Sequence, residues 1–349
     1  MKNWIYILYI GLMGFLASSC QSSEEEPQLP PGKVKITFTL ALDNLDSRSR
    51  AEGDWTYNET NGGILGSEYE NQIDFRTDNG LQVLVYSTDG QTYLGSVVNK
   101  DVVRLANENG RQYEFTGDLM IAKENIPTDG VLNCRLMVFA NCSAVTPATY
   151  ANVTYSYKPT YIPMWGVQQC TLTLAEGELT RVPETIDMLR AMAKVEVKLD
   201  DNFNATLEGV SIDKHNAAGY VVPEGYNTVT NTGALFQQPV FRPYVMQEGE
   251  TVGSSLQFTD VNGVCHIYLP EYQNVGEGAT PAVMTVTIDG KDYPLYFKDY
   301  ANDTPFNVVR NHYYQYTITG IYQETEVEVS LLYEVVDWSP VDNPELSFE

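Results

Sequence analysis

The stretch that decides the fold of this chain is Val34-Lys35-Ile36-Thr37-Phe38-Thr39-Leu40-Ala41-Leu42. Its even positions all hold large apolar residues, whereas its odd positions hold lysine, threonine or alanine. Because successive side chains of a β-strand point to opposite faces of the sheet, this alternation predicts a half-buried strand with one face committed to a core. A polar stretch, 43–54, follows, and we expect a trypsin-like protease to reach Arg48 and Arg50 in it.

Short alternating runs of the same kind recur to the end of the chain and predict an all-β protein. Two of them are Gly80–Ser87, closed by Thr88-Asp89-Gly90, and Val283–Ile288, closed by Asp289-Gly290. An Asp-Gly pair supplies the positive-φ positions that a tight hairpin needs. Many short strands separated by glycine, asparagine, aspartate and proline are typical of antiparallel sandwiches or barrels.

The length predicts two tandem antiparallel β-sandwich domains, because the roughly 300 residues after the leader exceed what one sandwich normally uses. We place the joint near Pro183-Glu184-Thr185, which gives an N-terminal domain over 51–185 and a C-terminal domain over 186–349. Long amphipathic helices are hard to find. The best short helix candidates are 101–107 and 183–192.

The first 19 residues have the layout of a secretory signal peptide: Lys2, an apolar run over 4–16, and small residues before Cys20. The run is shorter than the roughly 20 residues that a membrane-spanning helix needs. Cys20 resembles the acylated cysteine of a bacterial lipobox; the alternative is an ordinary signal peptide that includes a cysteine. The next segment, 21–26, contains three consecutive glutamates. It resembles the acidic signal that directs certain lipoproteins to the outer face of the outer membrane; the alternative is a run of solvated charges.

The net charge of −25 makes nucleic acid an improbable partner, because a field of this sign repels phosphate backbones. No CxxC pair marks a zinc or redox site. Cys134 and Cys142 lie ~26 Å apart if one extended strand carries both, so they cannot bond to each other. We interpret these two, Cys170 and Cys265 as small packing residues, although the oxidising route of export leaves a disulfide open.

The sequence contains no motif of an enzyme site, and we expect no catalytic residue, cofactor or metal. HExxH, GxSxG and P-loop spacings are absent, and three histidines are scattered along the chain. The segment 200–204 is similar to the start of a calcium-binding loop. However, Ala205 occupies the position that requires glycine and Ser211 the position that requires a bidentate glutamate, so we interpret the segment as a turn. The tyrosines of 313–316 and 155–157 have two interpretations. Their flat faces could bind a sugar, or they could pack against one another across neighbouring strands; we favour packing.

A second alternating stretch lies near the C terminus and comprises Val327, Val329, Leu331, Tyr333 and Val335. The phase then shifts to Val336 and Trp338, which predicts a bulge. The remaining tail, 339–349, contains two prolines, each of which removes a ladder hydrogen bond.

Taken in order along the chain, several motifs resemble those of the fimbrillin family, the subunits of type V pili. They are Cys20, the arginine-ended first strand, Ile162-Pro163-Met164-Trp165-Gly166, the segment 189–197, Arg310-Asn311-His312-Tyr313-Tyr314-Gln315-Tyr316, and Val336-Asp337-Trp338. The resemblance covers nearly the whole length. It implies transthyretin-like sandwiches, export as a lipoprotein precursor acylated on Cys20, cleavage by an arginine-specific protease, and polymerisation at the cell surface by strand exchange.

Under that resemblance, residues 20–50 form a leader that is removed on maturation, with Arg50 and Ala51 flanking the cut; Arg48 is the alternative. The donor-strand region comprises Val327, Val329, Leu331, Tyr333, Val335 and Trp338. Partners are other copies of the chain and related fimbrial subunits, the protease, the outer membrane through the precursor's lipid, and a host protein or glycan. The main alternative is a tip adhesin or an anchor lipoprotein that binds glycan or host protein.

Overall fold

The computed structural model describes residues 34–42, 73–74, 77, 79–104, 112–157, 159–175, 178–236, 241–245, 256–259, 263–322 and 326–334. Strands dominate this part of the chain, which has one short helix, α1 (Gly233–Phe236), and 3₁₀ turns at Lys123–Asn125 and Tyr150–Asn152. The predicted all-β class is confirmed. The predicted lipidation, cleavage and late tail residues lie outside the described residues: Cys20, Arg48, Arg50, Ala51, Val335, Val336 and Trp338.

The first half of the described chain builds one eight-stranded sheet. Its strands lie in the order β8-β1-β4-β3-β2-β5-β7-β9. The strands of this half are β1 (Lys35–Ala41), β2 (Leu81–Ser87), β3 (Tyr93–Arg104), β4 (Gln112–Ile121), β5 (Val131–Ala140), β6 (Thr154–Ser156), β7 (Met164–Thr173), β8 (Leu179–Asp187) and β9 (Leu189–Arg190). The short β6 pairs outside this sheet, with a strand from later in the chain.

This sheet curls until its two ends meet. β8 and β9 stand at opposite ends of the strand order, yet only Met188 separates them along the chain. Gly166 of β7 allows this closure, because a Cβ there would lie 2.7 Å from the Asp187 carbonyl oxygen and 2.7 Å from the Met188 Sδ. The curled sheet encloses one apolar core that includes Phe38, Phe139 and other residues from both ends of the strand order.

The second half builds two four-stranded sheets that pack as a sandwich. One has the order β14-β10-β19-β20 and the other β13-β11-β15-β16. The strands are β10 (Ala193–Leu199), β11 (Leu207–Ile212), β12 (Ala218–Tyr220), β13 (Leu256–Thr259), β14 (Val264–Leu269), β15 (Val283–Ile288), β16 (Lys291–Tyr296), β17 (Lys298–Asp299), β18 (Thr304–Pro305), β19 (Tyr313–Tyr322) and β20 (Glu326–Glu334). A second core fills the sandwich, with Val195 and Tyr316 from one sheet and Met284 and Val286 from the other.

Among the described residues, the strands pair antiparallel with two exceptions. β1 is parallel to β8, and β10 is parallel to β19. The turn predictions also need one correction. Both Asp289 (φ 48°) and Gly290 (φ 74°) take positive φ, whereas in the β2–β3 turn only Gly90 (φ 72°) does. The Asp89 carboxylate instead accepts hydrogen bonds from the Ser87 hydroxyl and the Gln91 amide, which suits a longer turn.

Neither short helix candidate is helical where the structure describes it, and most of the described residues are in strands. Residues 101–104 belong to β3, while 183–187 and 189–190 belong to β8 and β9. Pairing with β4, β1 and β7 overrides the local pattern, because a strand position is decided by its neighbours on the sheet. Pro183–Thr185, where we placed the domain joint, therefore lies inside β8. The chain changes sheet after Arg190, and Met192 and Ala193 belong to different cores.

Two of the motifs that carry the resemblance, 189–197 and 310–316, meet at this change of sheet. The Asn311 amide donates to the Met192 carbonyl (2.8 Å) and the Lys194 amide donates to the His312 carbonyl (2.9 Å). The Arg310 guanidinium, 1% exposed, donates to the Val221 carbonyl (3.0 Å) and to the Glu271 carboxylate (2.7 Å). A buried arginine needs such partners, so these bonds fix how the two sheets meet.

The closure of the first sheet predicts that Gly166→Ala destabilises the protein. The new methyl group would press on the backbone of Asp187 and on Met188, and overpacking of this kind costs about 1–3 kcal/mol. Urea unfolding measures the loss. The control is Gln169→Ala, an exposed position on the same strand, which should change stability by less than about 0.5 kcal/mol. Equal stability of the two variants would contradict this role for Gly166.

Candidate functional site

The candidate site is the slot that β1 occupies in the first sheet. All seven residues of β1 pair with β4, and six of them pair with β8 on the other side. At its ends, the Leu119 amide donates to the Val34 carbonyl (3.1 Å) and the Met188 amide donates to the Ala41 carbonyl (2.8 Å). β1 is thus an internal strand. If it left, β4 and β8 would each lose the strand that pairs with them.

The side chains of β1 fill the core as the alternation predicts. Val34, Ile36, Phe38, Leu40 and Leu42 are each at most 1% exposed. The Phe38 ring stacks on Phe115 of β4, its direct cross-strand partner, with ring centroids 5.4 Å apart. This stacked pair forms the centre of the slot.

The opposite face of β1 is more buried than a half-buried strand requires. Lys35 is exposed and its ammonium lies 3.5 Å from the Asp118 carboxylate, whereas Thr37 and Ala41 are buried. Thr39 is half-buried opposite Glu114, whose carboxylate pairs with Arg181 of β8 at 3.1 Å. Charged groups therefore flank the slot on this face, and the large apolar pockets lie on the other.

A bulge in β8 sets the local shape of the slot. The pairing shifts between Thr37↔Arg181 and Thr39↔Thr185, so that three residues of β8 stand opposite Phe38 alone. Pro183 is one of them. Proline has no amide hydrogen to donate and is tolerated in a sheet at an edge or a bulge, so its position explains why the ladder is interrupted here.

One arginine closes the end of the slot, and sequence reasoning gave it no role. The Arg190 guanidinium is 1% exposed and donates to the Leu42 carbonyl at 2.9 Å. The β4 residues Tyr113 and Phe115 that line the slot were likewise missed. The alternation of apolar and polar residues at the start of Gln112–Ile121 could have indicated their burial. The sequence alone did not show that β4 pairs with β1.

Removing β1 without replacing it would unfold this half of the protein. Its five apolar side chains contribute about 1.5–3 kcal/mol each by burial, together on the order of 10 kcal/mol. That sum is comparable to the whole stability of a typical domain, roughly 5–15 kcal/mol. A stable protein without β1 therefore requires another strand of similar pattern in the slot.

The predicted donor region begins in β20, an edge strand of the second unit. β20 pairs antiparallel with β19 from Tyr313↔Glu334 to Tyr322↔Glu326, with a register shift after Ile318. Val327 is buried and Val329 packs partly on the second core. The later donor residues and the predicted bulge lie outside the described residues.

The histidines, the segment 200–204 and the tyrosines considered for chemistry all lie within the described ranges. No group of three or more His, Cys, Asp and Glu residues there is arranged to hold a metal ion. The segment 200–204 forms a turn in which the Asp200 carboxylate accepts from the Asn202 amide. Tyr313, Tyr314 and Tyr316 are at most 2% exposed, which confirms the packing interpretation for these three. Their ring faces are therefore not accessible to a sugar.

An acid–base cluster centred on a glutamate is buried in the second half of the described chain. Glu196 of β10 accepts hydrogen bonds from Tyr313 (2.6 Å) and Gln315 (2.6 Å), and its carboxylate lies 2.8 Å from the His266 Nε2. Glu196 and His266 are 5% and 6% exposed. This cluster is shut off from any substrate, and we interpret it as structural.

None of the helices in the described ranges has the length and apolar character that a membrane span requires.

The architecture, a self-closing eight-stranded sheet followed by a two-sheet sandwich, is an all-β fold found in fimbrial proteins. The tip fimbrial protein Mfa3 of Porphyromonas gingivalis, in a C-terminally truncated form, matches with a TM-score of 0.50 at 13% identity, covering 88% of this chain and 100% of that chain. At this identity the likeness establishes the fold alone. The resemblance to fimbrillins is therefore confirmed at the level of the fold.

Two further solved structures match less closely. A candidate cell adhesion protein of Bacteroides uniformis has a TM-score of 0.47 at 14% identity, covering 88% of this chain and 99% of its own. A fimbrial assembly protein of Parabacteroides distasonis has a TM-score of 0.43 at 13% identity, covering 86% and 94%. No protein-family model matches the chain. No curated protein matches it either.

The stacked pair at the centre of the slot predicts a large effect of Phe38→Ala in the uncleaved protein. Loss of a fully buried phenylalanine costs about 3–5 kcal/mol, measured as a drop in the free energy of unfolding in urea. The control on the same strand is Lys35→Ala, which removes an exposed ammonium 3.5 Å from the buried Asp118 carboxylate and should cost about 1 kcal/mol, less than Phe38→Ala does. A small effect of Phe38→Ala would show that β1 does not support the core.

The Glu196 cluster predicts a defined loss of stability in acid. Burial alone would raise the pKa of Glu196, but the hydrogen bond and charge of His266 and the hydrogen bond of Tyr313 lower it to about 2. A carboxyl with a depressed pKa stabilises the fold above its unfolded pKa, and this contribution is lost as the pH falls from about 4.5 through about 2.

Glu196→Gln should therefore lose less stability than the wild type between pH 5 and pH 2, measured by urea unfolding across that range. Glu208→Gln, at an exposed position, should follow the wild type. Parallel pH profiles for the wild type and Glu196→Gln would refute the assignment.

Proposed function

We propose that this protein is a structural subunit of a surface fimbrium that polymerises by protease-triggered exchange of β1 for a strand of another subunit, and so contributes to adhesion. The observation that carries the proposal is the position of β1. It is an internal strand of the first sheet, and the arginine-containing segment follows it in the sequence. In this proposal it belongs to the leader, residues 20–50, that is removed on maturation.

Cleavage after Arg50 would cut the covalent link between β1 and the rest of the chain. The slot would then present unpaired backbone on β4 and β8, with apolar pockets beneath. A strand with alternating apolar residues can fill such a slot, because main-chain hydrogen bonds give affinity and alternate side chains fit the pockets. Since slot and donor are different surfaces, the contact is head-to-tail and a fibre can grow.

The donor in this proposal comes from the C-terminal region of a neighbouring copy. Val327, Val329, Leu331 and Tyr333 lie on β20, which is already paired with β19. Two routes therefore remain: β20 leaves β19 when subunits join, or β20 stays and the residues after Glu334, with Val335 and Trp338, supply the inserted strand.

The pairing of β20 also favours a second candidate, a subunit at one end of the fibre. A tip subunit that keeps β20 in its own sheet could accept a donor strand without offering one. The similar Porphyromonas gingivalis protein is a tip fimbrial protein, which suits this alternative. An anchor would instead keep β1 and its lipid. A tip adhesin or anchor lipoprotein of this kind would bind glycan or host protein through another surface.

In the leading proposal, the lipid on Cys20 acts only while the protein is a precursor. It would carry the chain to the outer membrane and leave with the leader after cleavage. The mature subunit would then be held at the cell surface by its neighbours. A retained Cys20 lipid on the native protein would instead identify an anchor.

Limited proteolysis of the full precursor tests the proposal. A low dose of trypsin should yield a product that begins at Ala51, followed by a ladder of oligomers on gels run without boiling. Arg50→Ala should abolish the product that begins at Ala51, whereas the matched control Arg48→Ala should retain both that product and the ladder. Because trypsin can still cut after Arg48 in Arg50→Ala, only the double variant Arg48→Ala/Arg50→Ala should abolish the ladder as well.

Two outcomes count against the proposal. Clean cleavage with no oligomers under any condition would refute the polymer. A wild-type product that begins at Ser49 and not at Ala51 would refute the choice of processing site while leaving strand exchange standing.

A further inference from the structure

Two of the cysteines face each other directly across the first sheet. Cys134 of β5 and Cys170 of β7 are register partners in the antiparallel β5–β7 pair. Directly opposed residues point to the same face of a sheet, and their Sγ atoms lie 3.7 Å apart. We infer that Cys134 and Cys170 form a disulfide in the exported protein. This inference rests on export and on the fold, and is independent of strand exchange.

The backbone geometry permits the bond without rearrangement. Cα atoms of opposed residues in an antiparallel pair lie about 4.5 or 5.5 Å apart, depending on the hydrogen-bonding pattern. A disulfide accepts Cα separations of about 4.4–6.8 Å. Rotation of the two side chains is then sufficient to bring the sulfurs from contact to bonding distance.

The other described cysteines do not compete for this pairing. Cys142 follows β5 two residues after its end, far along the strand from Cys134, and its Sγ contacts the Gln82 side chain at 3.8 Å. Cys265 belongs to the second core, not to the core that contains Cys134 and Cys170. The fold therefore selects one of the possible pairs.

Bond formation requires an oxidant. Each thiol gives up a proton, the two sulfurs together give up two electrons as the S–S bond forms, and a disulfide-bearing oxidoreductase of the cell envelope accepts them and becomes a dithiol. The signal peptide expected over residues 1–19 would deliver the chain to a compartment where such oxidants act.

The bond should form while the chain folds, not afterwards. Cys134 is fully buried and Cys170 is 6% exposed. The contact with Cys134 and burial raise the pKa of the Cys170 thiol, and the thiolate is the reactive form. Protein that has already folded with both thiols reduced should thus resist oxidation.

The bond would hold β5 to β7 and close a loop that spans 36 residues of sequence. β7 is the strand on which β8 and β9 close the sheet, through Gly166 and the Met164↔Arg190 pair. A cross-link here would join β5 to the strand on which the sheet closes.

Peptide mapping of the exported wild-type protein tests the inference without any mutation. The protein is denatured in acid, alkylated without reductant, and digested with trypsin and chymotrypsin. These proteases separate Cys134, Cys142 and Cys170 into different peptides, because Arg135 and Tyr150 lie between them. We expect a linked Cys134–Cys170 peptide, with alkylated Cys142 and Cys265. Alkylated Cys134 and Cys170 in the exported protein would overturn the inference.

Thermal unfolding provides a second measurement. Reduction of the unfolded wild type followed by refolding in reductant should lower the melting temperature by about 5–10 °C, from the usual stabilisation by a disulfide of this kind. Cys134→Ala/Cys170→Ala should show no response to reductant, whereas Cys142→Ala, the matched control, should respond as the wild type does. A wild type whose melting temperature ignores reductant would count against the bond.

Discussion

The pairing of β1 between β4 and β8 is the constraint on which the rest of this structure depends. Its backbone completes the ladder on both sides, and its five apolar side chains fill the first core. A strand in that position is worth about as much as the stability of a whole domain. The first sheet therefore needs a strand in this slot at all times. If β1 left the slot, the sheet would be stable only with another strand in its place.

The closure of the sheet defines the walls of the slot. Because β8 and β9 are separated by Met188 alone, the sheet must curl until β7 and β8 touch, and Gly166 gives the space for that contact. Arg190 then reaches the Leu42 carbonyl at the end of β1. One short segment thus closes the sheet, seals the slot and leads directly into the second unit.

Buried charges hold the two units in one arrangement. Arg310 pairs with Glu271 and donates to the carbonyl of Val221, a residue of the first core, and Glu196 is held by neighbours on the β14-β10-β19-β20 sheet. Such groups are costly to bury without partners, so their bonds disfavour other packings in which those partners would be lost.

The sequence by itself determined the all-β class, the buried face of β1 and the turn at Asp289-Gly290, because alternation and positive φ are local properties of a strand and a turn. Tertiary structure alone decided which strands are neighbours. The strand character of 183–190, the parallel partner of β1, the role of Arg190 and the meeting of Cys134 with Cys170 all follow from pairing between distant segments. A periodic pattern shows which face of a strand is buried, but it carries no information about the partner that covers it.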